Sequence, residues 1–432
     1  MKQPPVILQP PNQLLRAGCL ALAVARAGIP AGPLQEVGRV GGSVDTGTGA
    51  YVLTDGEALK DGTYTSTDKD ENVIRAEGNI TASLDGVTVE KTGGDASSND
   101  ASSFYGLNAA VLALDNATLD ITGGTITATT AGANGVFAYN GATIHIKNTL
   151  INVSGGNAGG IEVAGGGTLT ATNLTVNSTD KAAIRSDRGG GTLTVDGGTY
   201  TTSGSAGAPA IYSTADITVS NATLTANQSE AVVIEGLNSV TLNNCTVTGA
   251  MDGTYAVSNN GNIHNIMLYQ SMSGDAAVGT SSFSMTGGSL IAKNGDMFYV
   301  TNTSSVITLS GVDLTLADGT YLLRVSGNSS SRGWGTAGAN GGKATFKLAG
   351  QTIAGNIYVD AISTLNMQIT ASSTFTGSIN ADGTQASALS VTLDSTSTWT
   401  LTADSYVTAF TGSLDNVVAN GYKLYVKGSA VN

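Results

Sequence analysis

Six stretches of this chain repeat one text: LDITGGTITAT (119–129), IHIKNTLINVS (144–154), LTATNLTVNST (169–179), LTVDGGTYTTS (193–203), ITVSNATLTAN (217–227) and VTLNNCTVTGA (240–250). Their first residues, Leu119, Ile144, Leu169, Leu193, Ile217 and Val240, lie 25, 25, 24, 24 and 23 positions apart. A period of this length marks a repeat architecture, in which each unit is too small to bury its own apolar face and stacks on the next. In each block the opening residue and the one two places on form apolar pairs, such as Leu119 with Ile121, Ile144 with Ile146 and Leu193 with Val195. A second apolar column follows seven residues after each opening: Ile126, Ile151, Val176, Tyr200, Leu224 and Val247. A third is centred on Val136, Ile161, Ile184, Ile211, Val232 and Val257. Alternation with period two, three times per repeat, predicts three short strands whose side chains point alternately inward and outward.

Equivalent strands recur in the same sense with other strands between them, so they stack in parallel, about 4.8 Å apart. The inward columns then fuse into one core running the length of the array. The expected fold is all-β: a single-stranded parallel β-helix, a solenoid with three strands per coil of 23–25 residues and capped ends.

The pattern extends on both sides. It begins at Ile80, after irregular first coils over residues 41–79, and a polar insertion from about Thr92 to Tyr105 stretches one coil. Further insertions are expected from about Asn259 to Ser281 and from Gly327 to Gly342, with shorter coils and a cap over residues 344–432. Residues 1–40 are a leader of different composition, with six of the seven prolines and four basic residues against one acid. Its apolar run Ala17–Ala25 reads as a secretory signal, a capping helix or a disordered leader, and no stretch is long enough to span a membrane.

Only 12% of residues are charged, and the net charge of −13 argues against nucleic acid as a partner, since phosphates call for a basic surface. Cys19 and Cys245 fit no metal-ligand spacing, and Cys245 falls on an inward position. The turn Asp68-Lys69-Asp70-Glu71-Asn72 is a weak calcium candidate that lacks the glycine and distal glutamate of a known loop. No cofactor is expected.

The spacing, the Gly-Gly-Thr and Asn-Ala-Thr turns, and the closing text STLNMQITASSTFTGSI (363–379) and VTLDSTSTWTLTADSYVT (391–408) carry a resemblance. The chain resembles the right-handed parallel β-helix repeats of the pectin-lyase-like superfamily and, more narrowly, adhesin-like secreted proteins of bacterial surfaces, over most of residues 80–410. The resemblance implies a right-handed coil and an extracellular or bacterial cell-surface location. It also implies a polysaccharide or other glycan, or a host or cell-surface protein, as partner. It does not decide activity, because that superfamily holds enzymes and adhesins alike.

Two sets of residues are candidates for function. On the third strand Phe137, Tyr139, Glu162, Arg185, Asp187, Tyr212, Glu235, Tyr299 and Arg324 are expected to point outward, and His264, Tyr269, Arg332 and Trp334 ride on the long insertions. Aromatic rings stack on sugar faces and charged groups bond their hydroxyls, so Tyr212, Tyr269, Tyr299, Arg324, Arg332 and Trp334 are the ligand-binding candidates. The resemblance implies, for a lyase, acidic calcium ligands with a basic proton acceptor and, for a hydrolase, a group of carboxylates. Glu162, Arg185 and Asp187 are the nearest approach. The threonine pairs of the second strand, such as Thr199 and Thr201, suggest an ice-binding grid that Leu150 and Asn152 interrupt. The sequence thus points to a monomeric adhesin-like or structural module that binds glycan or protein through one face and its loops. The alternative is a carbohydrate-active enzyme on the same scaffold.

Overall fold

The computed structural model describes residues 44–204, 207–252, 262–271, 273–328 and 334–432. The leader, Val257 and Arg332 lie outside the described residues. The alternation seen in the sequence becomes three parallel sheets wrapped around one core. The third strands of the coils make a 12-stranded sheet that runs from Thr48–Val52 through Val136–Tyr139 and Ile161–Ala164 to Asn356–Val359. The first and second strands form a 20-stranded hydrogen-bonded system, because in several coils the chain passes from one to the other without a break, as over Gly191–Thr202. The second face continues towards the C-terminus as a 4-stranded sheet.

Register follows the repeat. Ile144 lies opposite both Leu119 and Leu169, and Ile151 opposite both Ile126 and Val176. The inward columns, including Tyr200 and Cys245, are buried in a single cluster that extends from Leu53 to Leu424. Pairing is parallel throughout the stack, and only the last pair, Leu424–Val426 with Ser429–Ala430, is antiparallel. That hairpin turns the chain back on the edge of its sheet, one of the devices by which a bare edge is blunted.

The turn between first and second strands explains the Gly and Asn of the repeat. Its first residue is left-handed in every regular coil, for example Asn148 (φ 55°), Asn173 (φ 52°), Asn221 (φ 55°) and Asn244 (φ 52°). Asn tolerates this conformation better than other residues with a Cβ. Where the turn is Gly-Gly a second left-handed residue follows. Gly198 has φ 96°, and a Cβ there would lie 2.3 Å from the carbonyl oxygen of Leu174 one coil below.

Two details differ from the sequence reading. The coil before Ile80 is regular: Ala58–Lys60, Thr63–Ser66 and Glu71–Glu77 pair with the strands of the next, and Thr48–Val52 pairs in turn with Glu71–Glu77. In the coil that opens at Val240, the third strand is His264–Tyr269, with Ile266 opposite Val232. The insertion is therefore split by this strand, residues 250–263 preceding it and residues 270–279 following it. The apolar residues of HNIMLY (264–269) are hidden in the sequence by their position inside a long polar stretch.

The third sheet also differs from the other two in burial. Strands of the first and second sheets alternate between buried and open residues, as Thr143–Lys147 does. Val111–Leu114, Ile161–Ala164, Val232–Glu235, His264–Tyr269 and Asp296–Thr301 are buried at every position. A parallel strand covered on both faces shows this pattern. The cover comes from the insertions. The first forms an α-helix, Asn99–Tyr105, capped by the Ser98 hydroxyl, which accepts from the Ala101 amide at 3.1 Å, and stopped by left-handed Gly106.

Candidate functional site

The outward column of the third sheet can be followed coil by coil. Phe137 lies opposite Glu162, Glu162 opposite Arg185 and Arg185 opposite Tyr212. The column continues through Val233, Met267, Tyr299 and Arg324 to Tyr358. The predicted site residues thus do share one face, although most of it is covered. Phe137 packs with Ala109, Leu112, Leu114 and Ala164 in a small second core beside the helix. Tyr269, Tyr299, Trp334, Val233 and Met267 form another, with Tyr212 at its edge. Trp334, carried by the third insertion, sets its ring 4.4 Å from that of Tyr269. Tyr269, Tyr299 and Trp334 are therefore packing residues, since the sequence shows which way a strand residue points but not what lies over it.

Between these two cores sits the charged cluster. Glu162 is fully buried, Arg185 and Asp187 nearly so. The Arg185 Nε lies 3.2 Å from Glu162 Oε1, and its terminal nitrogen pairs with Asp187. Lys181 joins them from the same coil and donates to the Ser103 hydroxyl on the helix at 3.4 Å. Burial pushes the Glu162 carboxyl up to about 8; Arg185 opposes the shift, Asp187 adds to it and Lys181 opposes it. The unfolded chain releases this proton near 4.5, so the folded state holds it where the unfolded one does not. Stability contributed by this group is complete below about pH 4.5 and declines as pH rises towards about 8. Glu162→Gln should flatten that decline, and chemical denaturation at pH 5, 7 and 8.5 checks it; an unchanged slope would refute the assignment.

The next carboxylate along the face is differently held. Glu235 accepts from the hydroxyls of Tyr212 at 2.7 Å and Tyr269 at 2.8 Å, and from the Ser271 hydroxyl and amide. Glu230 pairs with His264 at 3.3 Å. Burial alone would raise Glu230, but His264 and the Ser229 hydroxyl outweigh it and bring the carboxyl down to about 2. His264 is thus a buried strand residue, not a loop group available to a ligand. Both arrangements tie charged groups to protein partners.

Among the described residues the outward column is partly open at Tyr212 and again, over adjacent residues, at its C-terminal end. Arg324 lies beside the rings of Tyr321 and Tyr358, which pack on each other with centroids 5.7 Å apart, and its guanidinium carbon is 4.8 Å and 5.2 Å from those centroids. Its Nε reaches Asp296 Oδ2 at 2.5 Å, while Asp296 Oδ1 accepts from the Tyr321 amide at 2.8 Å. An irregularity in the ladder between Tyr321 and Leu323 sets Tyr321 in this position, as bulges re-aim side chains elsewhere. Tyr321 and Tyr358 were missed in the sequence, although Tyr358 directly follows the inward Ile357 and is therefore outward by alternation.

The acidic turn at residues 68–71 has a resident cation. Lys91, buried, donates its ammonium to the Asp68 carbonyl and to the Ser66 hydroxyl, and Ser66 in turn donates to Glu71 at 2.7 Å. On the outer side of the first sheet, Ser304, Lys343, Thr345, Asn366 and Ser390 line an open groove of about 530 Å3 with small polar side chains.

The stacked register and the three sheets define a right-handed parallel β-helix repeat protein. Residues 85–271 match the family model described as right handed beta helix region. Comparison with curated proteins and with solved structures finds no match.

Proposed function

We propose that the chain is an extracellular, adhesin-like or structural β-helix module that contacts a glycan ligand, or a protein surface, through the uncovered end of its third face. One observation carries this reading. Insertions cover the outward column from Phe137 to Tyr299, except at half-buried Tyr212, and leave Tyr321, Arg324 and Tyr358 half-exposed side by side. Rigid strands hold these three groups, and aromatic rings beside a charged group suit a sugar. The rival reading, a polysaccharide lyase or glycoside hydrolase, needs substrate to reach Glu162, Arg185 and Asp187. These lie under cover, with 0%, 2% and 3% of their surface exposed.

The test is a glycan array read beside a turnover assay over a polysaccharide panel, with and without calcium. Binding that falls about tenfold or more in Tyr358→Ala, with no turnover, is the expected result, a loss comparable to removing one stacking contact. Turnover that Asp187→Ala abolishes would overturn the module reading in favour of the enzyme.

A further inference from the structure

We propose that Tyr406 and Tyr425 form an oxidative cross-linking site, at which a peroxidase with hydrogen peroxide joins the two rings into dityrosine and clasps the last coil to the one before it. The inference does not depend on the ligand reading above. It starts from register: Ser405–Val407 pairs in parallel with Leu424–Val426, and Tyr406 lies directly opposite Tyr425. Ser405, Val407 and Leu424 are buried, so alternation turns both tyrosines outward, where each is half-exposed. Their rings stack with centroids 4.6 Å apart and planes 3° from parallel. Neither phenol bonds to a described residue, whereas the hydroxyls of Tyr212 and Tyr269 are both spent on Glu235.

Aromatic pairs ordinarily prefer edge-on or offset arrangements to a parallel face-to-face stack. Other tyrosine pairs of the chain follow that preference: Tyr51 meets Tyr64 at 88°, Tyr105 meets Tyr139 at 64° and Tyr321 meets Tyr358 at 44°. The parallel rings of Tyr406 and Tyr425 are imposed by the ladder, which sets equivalent residues of successive coils about 4.8 Å apart. This geometry matters for coupling. The unpaired electron of a phenoxyl radical is shared among the oxygen and the ring carbons ortho and para to it. The para carbon carries Cβ, so two tyrosyl radicals join through Cε. A parallel stack brings a Cε of each ring face to face, while at a steep angle the edge of one ring meets the face of the other.

The step balances as follows. The peroxidase, oxidised by hydrogen peroxide, removes one electron and one proton from each phenol. The radicals form a Cε–Cε bond, and the hydrogen on each bonded carbon moves to its phenolic oxygen, which restores both rings. Peroxide takes up the two electrons and two protons and leaves as two waters. The consequence lies at the end of the rod. Leu424–Val426 is the last parallel strand of its sheet, and beyond it only the short antiparallel pair with Ser429–Ala430 holds the chain. An end coil has a neighbour on one side only, so opening there disturbs the fewest contacts. A cross-link that closes a loop of roughly 20 residues restricts the opened state, as a disulfide does.

The experiment treats the full chain, in dilute solution, with hydrogen peroxide and a haem peroxidase that couples free tyrosine. Dityrosine fluorescence should appear while the chain stays monomeric, with a mass lower by the two hydrogen atoms lost. Cleavage after Lys423 and Lys427 places Tyr425 on the peptide 424–427 and Tyr406 on residues 348–423, and the two peptides should be recovered joined. Tyr406→Phe and Tyr425→Phe keep the stacked rings and the fold, and each should remove most of the fluorescence, whereas Tyr358→Phe and Tyr422→Phe should leave it unchanged. Hydrogen exchange over residues 424–430 should slow after treatment of the parent and not of the Tyr406→Phe or Tyr425→Phe variant. Fluorescence that survives both of those variants, or cross-links found only between chains, would overturn the assignment. So would the absence of dityrosine in the protein while free tyrosine couples in the same mixture. A cross-link at this pair without slower exchange would overturn the clasp and leave the modification site standing.

Discussion

Arg185→Met should destabilise the folded chain by about 3–5 kcal/mol, the usual cost of removing one partner from a buried charged group. The substitution keeps an unbranched apolar stem of similar reach but deletes the cation that lies 3.2 Å from Glu162 and pairs with Asp187. Lys181 remains, yet it is engaged with Ser103 on the covering helix. Asp187 would then stand nearly buried with its main counter-ion gone. Equilibrium denaturation at neutral pH measures the loss. A second variant sharpens the test: Arg185→Met combined with Glu162→Gln and Asp187→Asn should recover most of it, because neutral amides can stay buried where unpaired carboxylates cannot. A single variant as stable as the parent would show that the cluster contributes nothing to the fold.

Trp334→Ala should cost about 3–5 kcal/mol where unfolding is global, the range for deleting a buried large aromatic side chain. Trp334 packs on Tyr269, Tyr299, Val233 and Met267, none of which has other apolar cover from the described part of its insertion. Its backbone carbonyl accepts from the Asn340 amide at 2.8 Å, and Asn340 also donates to Asn328, so the ring anchors a folded loop. Hydrogen exchange should therefore rise first over residues 326–342 and along Val232–Glu235 and His264–Tyr269. Exchange that stays at the parental level on those strands would mean that the insertion does not depend on this side chain for its position.

The fold was legible because the core columns obey a strict rule. Inward residues such as Leu119, Ile144 and Leu193 repeat at the coil period and in chemical type, and the register pairs them as read. The site was legible only in part. Alternation placed Glu162, Arg185, Tyr212 and Arg324 on one outward column, as the strand pairing has it. Whether such a residue meets water or another layer depends on where an insertion folds, and insertions carry no period. That is why Tyr269, Tyr299 and Trp334 read as exposed contacts and are packing residues instead. Ser98 and Gly106, which start and stop the covering helix, are ordinary capping signals, but seven residues between them gave too short a run to show a helical period.

The helix Asn99–Tyr105 reaches well beyond its own coil. It donates from Ser102 to Gly132, accepts from Asn157 at Asn99 and from Lys181 at Ser103, and its terminal Gly106 accepts from Asn72. A solenoid whose coils touch only their neighbours resembles a one-dimensional chain, which can open from either end one unit at a time. A brace that spans several coils removes that option locally, since no one of them can leave without breaking bonds held by the rest. The coils from Asn72 to Lys181 are therefore expected to open together instead of one at a time. The insertions, which look like interruptions of the repeat, set the length over which this molecule melts as one.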